Sequence, residues 1–401
     1  MNTTISKLVL LGLFIFCPMT ILSGCTSSVE LNDRAFVKMM LLDKTETGVE
    51  VTLSFPLPTR LIPGQVGGGG QKGKAYAFVT KTGRDIGEAY RFIQSDLSRK
   101  ITFGQTVVIV IGSALAKEGI LPALEFIARE PRFHVNATLF VTPGKVLELT
   151  SVPTVFERFP VDILVAYNKQ HVTVRTTAKD CLEASFSGGD LLIPLLRLTE
   201  QTLPGEKQDT RAMWLGTNGA AVFKEGKMVS VLDTNEMRGA MWIQESVKDS
   251  EVTVPSTKDG KDVSFMVKNN RTTIKPVLVG DRITMSIRSK AKADLIASES
   301  AIDFNKAEQR EALERNLAEL IEERMTRAIM ASRKAGSDPF RFGQYIDWHF
   351  PEKWKSIEPI WRSVYTERVT FDIQAHITIN HLGTERKPLH IRTSAQAGDQ
   401  S

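Results

Sequence analysis

Apolar and polar residues alternate along the chain in a pattern that predicts both strands and helices. Ala35–Asp43 and Val49–Phe55 read as two strands around a short turn, which is typical of a β-hairpin. Thr106–Ile111 is a continuous apolar run, the pattern of a strand covered on both faces. Asp85–Leu97 instead repeats its apolar residues at helical spacing. This mixture indicates an α+β or α/β domain over residues 25–200.

The pattern changes after the polar stretch Thr202–Thr210, which is a candidate linker. Short apolar runs then predict a small strand-rich middle domain over residues 210–246. Its predicted strands are Ala212–Leu215, Ala220–Lys224, Met228–Leu232 and Met241–Ile243. A C-terminal domain is expected over residues 247–392, followed by a flexible tail at 393–401.

The longest predicted helix covers residues 305–334 of this C-terminal domain. Asn305 followed by Glu308 is a capping signature at its start, and Gly336 with Pro339 marks its end. Its apolar stripe consists of Leu313, Leu317, Leu320, Ile321, Ala328 and Ile329. We expect the stripe to pack on an antiparallel sheet; the alternative is a coiled coil with a partner. The last predicted strand is Thr370–Ile379.

The N-terminus has the layout of a bacterial lipoprotein signal. Lys7 precedes about 15 mostly apolar residues, and the sequence Leu22-Ser23-Gly24-Cys25 that closes this run reads as a lipobox. The run is short for a transmembrane helix, which needs about 20 apolar residues. We therefore predict cleavage between Gly24 and Cys25, removal of residues 1–24, and acylation of Cys25. The alternative is an uncut signal anchor.

The amino-acid composition restricts the classes of protein to which the chain can belong. The chain has 401 residues, of which 42% are hydrophobic and 24% charged, as in ordinary globular proteins. A formal charge of +5 is weak over this length and does not suggest nucleic-acid binding. Cys17 leaves with the signal, so Cys181 has no partner for an intramolecular disulfide once Cys25 is acylated. We expect Cys181 to be a small buried apolar residue.

Motifs that carry chemistry are incomplete in this sequence. Gly68–Ala75 resembles a phosphate-binding loop, but Ala75 replaces the hydroxyl residue that would bind Mg²⁺. We expect a mobile loop there, and a ligand- or partner-contacting loop is the alternative. The histidines show no metal-binding spacing; they are His134, His171, His349, His376, His381 and His390. We accordingly predict no catalytic residue, no cofactor and no metal site.

Three of the five tryptophans, Trp348, Trp354 and Trp361, fall within one short aromatic segment. A cluster that caps the core is the expected arrangement. The alternative is an exposed anchor for a protein interface, because tryptophan is favoured at interaction hot spots.

Several short sequences, taken in order, give the chain a family resemblance. They are Glu30-Leu31-Asn32-Asp33 after the lipobox, Phe103-Gly104-Gln105, Leu192–Leu196, Gly219–Lys224 with Lys227, and Phe340–Trp361. With these features the chain resembles the Ger(x)C lipoproteins, the C subunits of spore germinant receptors. One departure is local, since the family often has Trp-Asp after the lipidated cysteine where this chain has Thr26-Ser27.

The resemblance implies an α+β fold of three domains, with antiparallel-rich sheets and packed helices. It implies a non-enzymatic lipoprotein on the outer face of the spore's inner membrane. Its partners would be two integral membrane subunits, with which it forms a receptor that starts germination. Whether this subunit contacts the small-molecule germinant is left open.

Two other classes stay as alternatives. A solute-binding lipoprotein of an uptake system would have two similar lobes around a cleft, whereas the strand-rich pattern after residue 210 differs from the first half. A lipid-tethered hydrolase would need a catalytic set that the motifs do not supply.

Overall fold

The computed structural model describes residues 30–57, 75–186, 188–202 and 211–381. The strands are β1 (Arg34–Phe36), β2 (Met39–Lys44), β3 (Val49–Pro56), β4 (Tyr76–Gly83), β5 (Lys100–Thr102), β6 (Val108–Gly112), β7 (Thr138–Thr142), β8 (Leu191–Thr202), β9 (Arg211–Lys224), β10 (Lys227–Leu232), β11 (Asp249–Pro255), β12 (Asp262–Val279), β13 (Arg282–Ser298) and β14 (Thr370–His381). The α-helices are α1 (Ile86–Ser95), α2 (Ser113–Glu118), α3 (Leu121–Arg129), α4 (Pro160–Lys169), α5 (Ala178–Ser185), α6 (Thr234–Ile243), α7 (Ala307–Lys334), α8 (Phe342–His349), α9 (Pro351–Ile357) and α10 (Trp361–Glu367).

Eight strands form the larger sheet, in the order β10-β9-β8-β7-β6-β2-β3-β4. The four central strands β8, β7, β6 and β2 are parallel, and antiparallel pairs flank them on both sides. Strand β6 is buried along its whole length, as its apolar run predicts. Ile109 and Ile111 pack under α1, α2, α3 and α5, while Val108 and Val110 pack under α4. The expected hairpin is confirmed as β2–β3.

The smaller sheet has the order β11-β12-β13-β14. Its first three strands are antiparallel, but β13 and β14 are parallel, so the expectation of an antiparallel sheet under the long helix is wrong for this pair. The connection from β13 to β14 includes α7–α10, which is long enough for the crossover that parallel pairing requires. The mixture of sheets and helices confirms the α+β class.

Helix α7 buries one face against this sheet and against α6. Its buried residues are Leu313, Leu317, Ile321, Met325, Ala328, Ile329 and Ser332, which confirms packing of the helix on a sheet. The predicted cap is wrong, because the helix begins at Ala307 after Lys306 and has no side-chain cap. Asn305 is held instead by the Asp303 carboxylate, which accepts from its backbone N–H at 3.0 Å.

Two glutamates of α7 cover the exposed edge of β14. Glu322 Oε1 accepts from Ala375 N at 2.7 Å, and Glu314 Oε1 accepts from Ile379 N at 2.8 Å. Eight residues of helix rise about 12 Å, and four residues of strand span about 13 Å. The two spacings match, so one helix can satisfy two N–H groups of an edge strand that would otherwise be open to another chain.

The region after residue 210 joins the larger sheet. Strand β9 is one continuous strand where two were predicted, and it pairs with β8 and β10. Alternate residues of β9 face different cores, since Phe223 packs with the N-terminal helices and Val222 packs with the C-terminal core. The division into domains at residues 200, 210 and 246 stays a prediction.

The predicted strand Met241–Ile243 is wrong, because these residues end helix α6. Asp233 and Glu236 form a complete capping box at its start: Glu236 N donates to Asp233, and Asp233 N donates to Glu236, each at 2.8 Å. This local signal begins a helix that strand propensity alone does not reveal. Among the described residues, no helix combines the length and apolar character needed to cross a bilayer.

Helices α6 and α7 meet at Gly239, which gives a test of this packing. A Cβ at Gly239 would lie 2.0 Å from the Arg324 carbonyl oxygen. We expect Gly239→Ala to lower the free energy of unfolding by about 2 kcal/mol, because overpacked cores cost about 1–3 kcal/mol. Denaturant unfolding measures this change.

The matched control is Gly87→Ala in α1, where a Cβ meets only the Asp85 side-chain oxygen at 3.2 Å. Alanine is favoured over glycine inside helices by about 1 kcal/mol, so this variant should be neutral or more stable. Equal losses in both variants would contradict the close approach of α6 and α7.

Candidate functional site

The two sheets are joined by a polar group that we call the junction cluster: Asp190, Asp338, Trp361 and Arg362. The Arg362 guanidinium binds both carboxylate oxygens of Asp190, at 2.8 and 2.9 Å. It also donates to the carbonyl oxygens of Gly188 and Gly336. Asp190 precedes β8 of the larger sheet, whereas Arg362 lies in the first turn of α10 beside the smaller one. The pair therefore connects the two halves of the molecule.

Asp338 is the most buried carboxylate of this cluster. Its oxygens accept from Phe342 N at 3.1 Å, Gly343 N at 3.0 Å and Trp361 Nε1 at 3.0 Å. Phe342 N and Gly343 N belong to the first two residues of α8 and have no acceptor within the helix. The Asp338 side chain therefore caps α8 from a position before the N-cap residue Arg341. Burial raises the pKa of Asp338 to about 6, and the nearby charge of Asp190 also raises it, against the lowering effect of the three hydrogen bonds.

Trp354 and Trp361 cap the core next to Asp338. Their rings meet edge to face with centroids 5.4 Å apart, and Trp361 also contacts Tyr365. A Cβ at Gly343 would lie 2.6 Å from Trp354, so the helix can approach the ring only with glycine there. The expected core-capping arrangement is confirmed for these two tryptophans.

Trp348 is different, because 66% of its surface is exposed. Its ring contacts only the Tyr345 ring among the aromatic side chains of the described residues, at 5.4 Å. Of the three tryptophans in this segment, only Trp348 fits the alternative prediction of an exposed anchor for a protein interface.

Further polar contacts tie the end of α7 to both sheets. Ser337 Oγ donates to the Phe223 carbonyl oxygen of β9 at 2.8 Å. Ser332 Oγ and the Tyr365 hydroxyl share a hydrogen bond of 2.5 Å, and burial raises the pKa of Tyr365. Sequence reasoning recognised Gly336–Pro339 only as the end of a helix and missed Asp338 as a cap.

The residues predicted from sequence are placed as follows. Gly24 and Cys25, the Gly-rich stretch 58–74 and His390 lie outside the described residues. Cys181 is buried, as expected, and burial raises the pKa of its thiol. A thiol in this environment stays protonated and is a poor nucleophile.

Four of the histidines have side chains that the structure describes. His134, His349 and His376 are exposed, and His171 is half-buried. Within the described parts of the chain, the structure brings together no group of three or more His, Cys, Asp and Glu residues that could hold a metal ion.

A groove with a volume of about 890 Å³ lies at the carboxyl end of β2 and β6. Leu115, Leu121, Ala123 and Phe126 supply apolar walls, and the turn before β10 closes one side. Arg84 and Arg129 at its rim are paired with Glu88 and Glu125. The volume lies within the range of small-molecule pockets, about 300–1,000 Å³.

Comparison with known proteins agrees with this architecture. Residues 27–198 match the family described as spore germination protein N-terminal domain. Residues 218–383 match the family described as spore germination B3/GerAC like, C-terminal. The spore germination protein KC of Bacillus subtilis is 23% identical over 400 residues, covering 95% of this chain and 97% of that protein. The putative spore germination protein YfkR of the same organism is 23% identical over 328 residues, covering 80% and 83%.

A crystal structure of the GerBC protein has the same fold. It superposes with a TM-score of 0.55 at 16% identity and covers 85% of this chain and 96% of that one. The fold is thus that of an α+β protein with one eight-stranded sheet, one four-stranded sheet and a two-stranded β1–β5 pair. The chain belongs to the GerAC-like family of spore germination proteins.

The contrast between Trp361 and Trp348 can be tested by unfolding. Trp361→Phe keeps an aromatic ring but removes the N–H that binds Asp338. We expect a loss of about 2 kcal/mol in the free energy of unfolding, the magnitude for a hydrogen bond to a charged group. Trp348→Phe is the matched control and should change stability by less than about 0.5 kcal/mol. A larger loss at Trp348 than at Trp361 would contradict the assignment.

Asp338 also predicts a pH dependence. Its folded pKa of about 6 lies above the ordinary 3.8, so the folded state binds the proton more tightly than the unfolded state. This contribution to stability is present at low pH and is lost as pH rises through about 6. Between pH 7.5 and pH 5, wild type should gain about 1 kcal/mol relative to Asp338→Asn. Denaturant unfolding measures the free energy of unfolding of both proteins at each pH. Equal changes with pH in wild type and Asp338→Asn would contradict a raised pKa for Asp338.

Proposed function

We propose that this chain is the lipid-anchored subunit of a spore nutrient-germinant receptor. It acts on the outer face of the spore's inner membrane, together with integral membrane subunits, and without catalysis. The observation that carries the proposal is the match of both germination family models, in order, over residues 27–198 and 218–383. The same arrangement extends over almost the whole length of spore germination protein KC.

The position of Glu30 supports the anchoring part of the proposal. It is the first described residue and lies five positions after Cys25. Five residues reach at most about 18 Å when fully extended. A 3-10 turn at Leu31–Asp33 leads into strand β1, which pairs with β5, so the folded body begins close to the proposed lipid. Two or more acyl chains give stable anchoring, because each buried CH₂ contributes about 0.8 kcal/mol.

The use of the buried titratable groups supports a non-catalytic role. Asp338 caps a helix, Tyr365 binds Ser332, and the Cys181 thiol is held protonated in the core. Each of these groups is committed to packing or hydrogen bonding.

Exposed Trp348 is the side chain that we assign to contact with an integral membrane subunit, since exposed tryptophan is favoured at interfaces.

The solute-binding alternative predicts two similar lobes around a cleft. The larger sheet here has eight strands with a parallel centre, while the smaller has four, so the two halves are built differently. Isothermal titration of the detergent-solubilised chain with amino acids and sugars separates the two functions. Tight, saturable binding that is lost on changing the groove residue Leu121 would favour the alternative.

Acylation is tested by Cys25→Ala in sporulating cells. We expect the protein to leave the membrane fraction and germination through this receptor to fall strongly, because the body is no longer concentrated beside its membrane partners. Cys181→Ala is the matched control and should keep both membrane association and germination. Full-rate germination with an unacylated Cys25→Ala protein present in the spore would contradict the proposal.

A further inference from the structure

At one end of the larger sheet lie the loops that precede three of its parallel strands, β2, β6 and β7. We call it the amino end and define it by residues 30–38, 98–107 and 130–136. Backbone hydrogen bonds hold these segments together: Val107 N donates to the Lys38 carbonyl at 3.1 Å, and Thr138 N donates to the Val107 carbonyl at 2.9 Å. The short β1–β5 pair lies beside them, and Val37 N donates to the Thr102 carbonyl. The amino end is therefore a connected part of the folded body.

Each of the three segments exposes a large apolar side chain. The exposed fractions are 74% for Leu31, 39% for Val107 and 40% for Val135. Single exposed valines and leucines are ordinary on protein surfaces. Here the three lie on neighbouring segments at one end of a sheet, and the chain leaves that end toward Cys25.

The amino end also carries an excess of cations. Its segments contain five Lys or Arg residues and three Asp or Glu residues. Arg99, Lys100 and Arg132 are exposed and form no ion pair with the described residues. The acidic side chains at this end are Glu30, Asp33 and Glu130. Unpaired cations beside exposed apolar side chains are the combination that binds an anionic lipid surface.

We propose that the amino end is the face that rests on the bilayer, with Arg99, Lys100 and Arg132 at lipid phosphates and Leu31, Val107 and Val135 at the apolar boundary. This inference rests on the proposed anchoring through Cys25, because five residues limit Glu30 to about 18 Å from the lipid. The opposite end of the sheet, with the 890 Å³ groove, then faces away from the membrane.

The test uses the acylated full chain reconstituted in vesicles of phosphatidylglycerol and phosphatidylcholine. Val135→Cys carries a polarity-sensitive fluorophore, and Val229→Cys on β10, with 47% exposure, is the matched control. The buried Cys181 does not compete for the label. We expect a blue-shifted emission, quenched by nitroxide lipids, at position 135 and the emission of a water-exposed probe at position 229.

Charge reversal identifies the lipid headgroups as the ligand. Reversal of Arg99, Lys100 and Arg132 to glutamate should abolish the blue shift at position 135 while the protein still floats with the vesicles. Each cation contributes about 1 kcal/mol at an anionic surface, which is roughly fivefold in the ratio of bilayer-bound to free orientations. Reversal of three exposed lysines away from this end, Lys227, Lys248 and Lys261, is the control and should leave the shift unchanged.

The outcomes separate this inference from the proposed function. Vesicle flotation with a water-like spectrum at position 135 would overturn the inference and leave the lipid anchor intact. Failure of the acylated chain to float would overturn both. A shift at position 135 that needs the integral membrane subunits would overturn the bilayer as the occupant and assign this face to a protein contact.

Discussion

The bidentate ion pair between Arg362 and Asp190 is the contact on which the arrangement of the larger and the smaller sheet depends. It joins side chains 172 positions apart in the sequence. Because the same guanidinium also binds two backbone carbonyls, its position is fixed from both sides. The pair is partly buried, with 31% of the Arg362 side chain and 12% of the Asp190 side chain exposed, so removing one partner leaves the other charge partly desolvated and unpaired. Asp338 is linked to this pair because its backbone N–H donates to Asp190 at 2.8 Å, and Trp361 and the start of α8 donate to Asp338 in turn.

Much of the fold could be predicted from sequence, because the relevant signals are local. The apolar run of β6, the β2–β3 hairpin and the stripe of α7 each depend on a few neighbouring residues. The predicted secondary structure or strand pairing was wrong where a second local signal or a long-range contact determined the fold. The capping box of Asp233 and Glu236 made Met241–Ile243 helical. The parallel pairing of β14 depends on a connection of many residues, which no local pattern records.

The residues of the candidate site also fall into two groups: those that a local sequence pattern reveals and those that only the folded structure brings together. Acylation of Cys25 stays a prediction, and it can be made from four adjacent residues because a lipoprotein signal is a local sequence pattern. The junction cluster could not be identified, since Asp190, Asp338 and Arg362 become neighbours only after both sheets form. For the tryptophan segment, the sequence predicts an aromatic cluster, but only the structure separates the half-buried Trp361, which donates to Asp338, from the exposed Trp348.

The junction also gives the proposed lipid anchor a mechanical consequence. A tether restricts only the segment to which it is attached, unless the rest of the molecule moves with that segment. Strand β9 packs into both cores, and the Arg362–Asp190 pair fixes the smaller sheet against the larger one. An orientation imposed near Glu30 is therefore carried through the sheet to α8, where Trp348 is exposed. If the chain is anchored through Cys25 as proposed, the junction sets the direction in which the molecule presents that tryptophan.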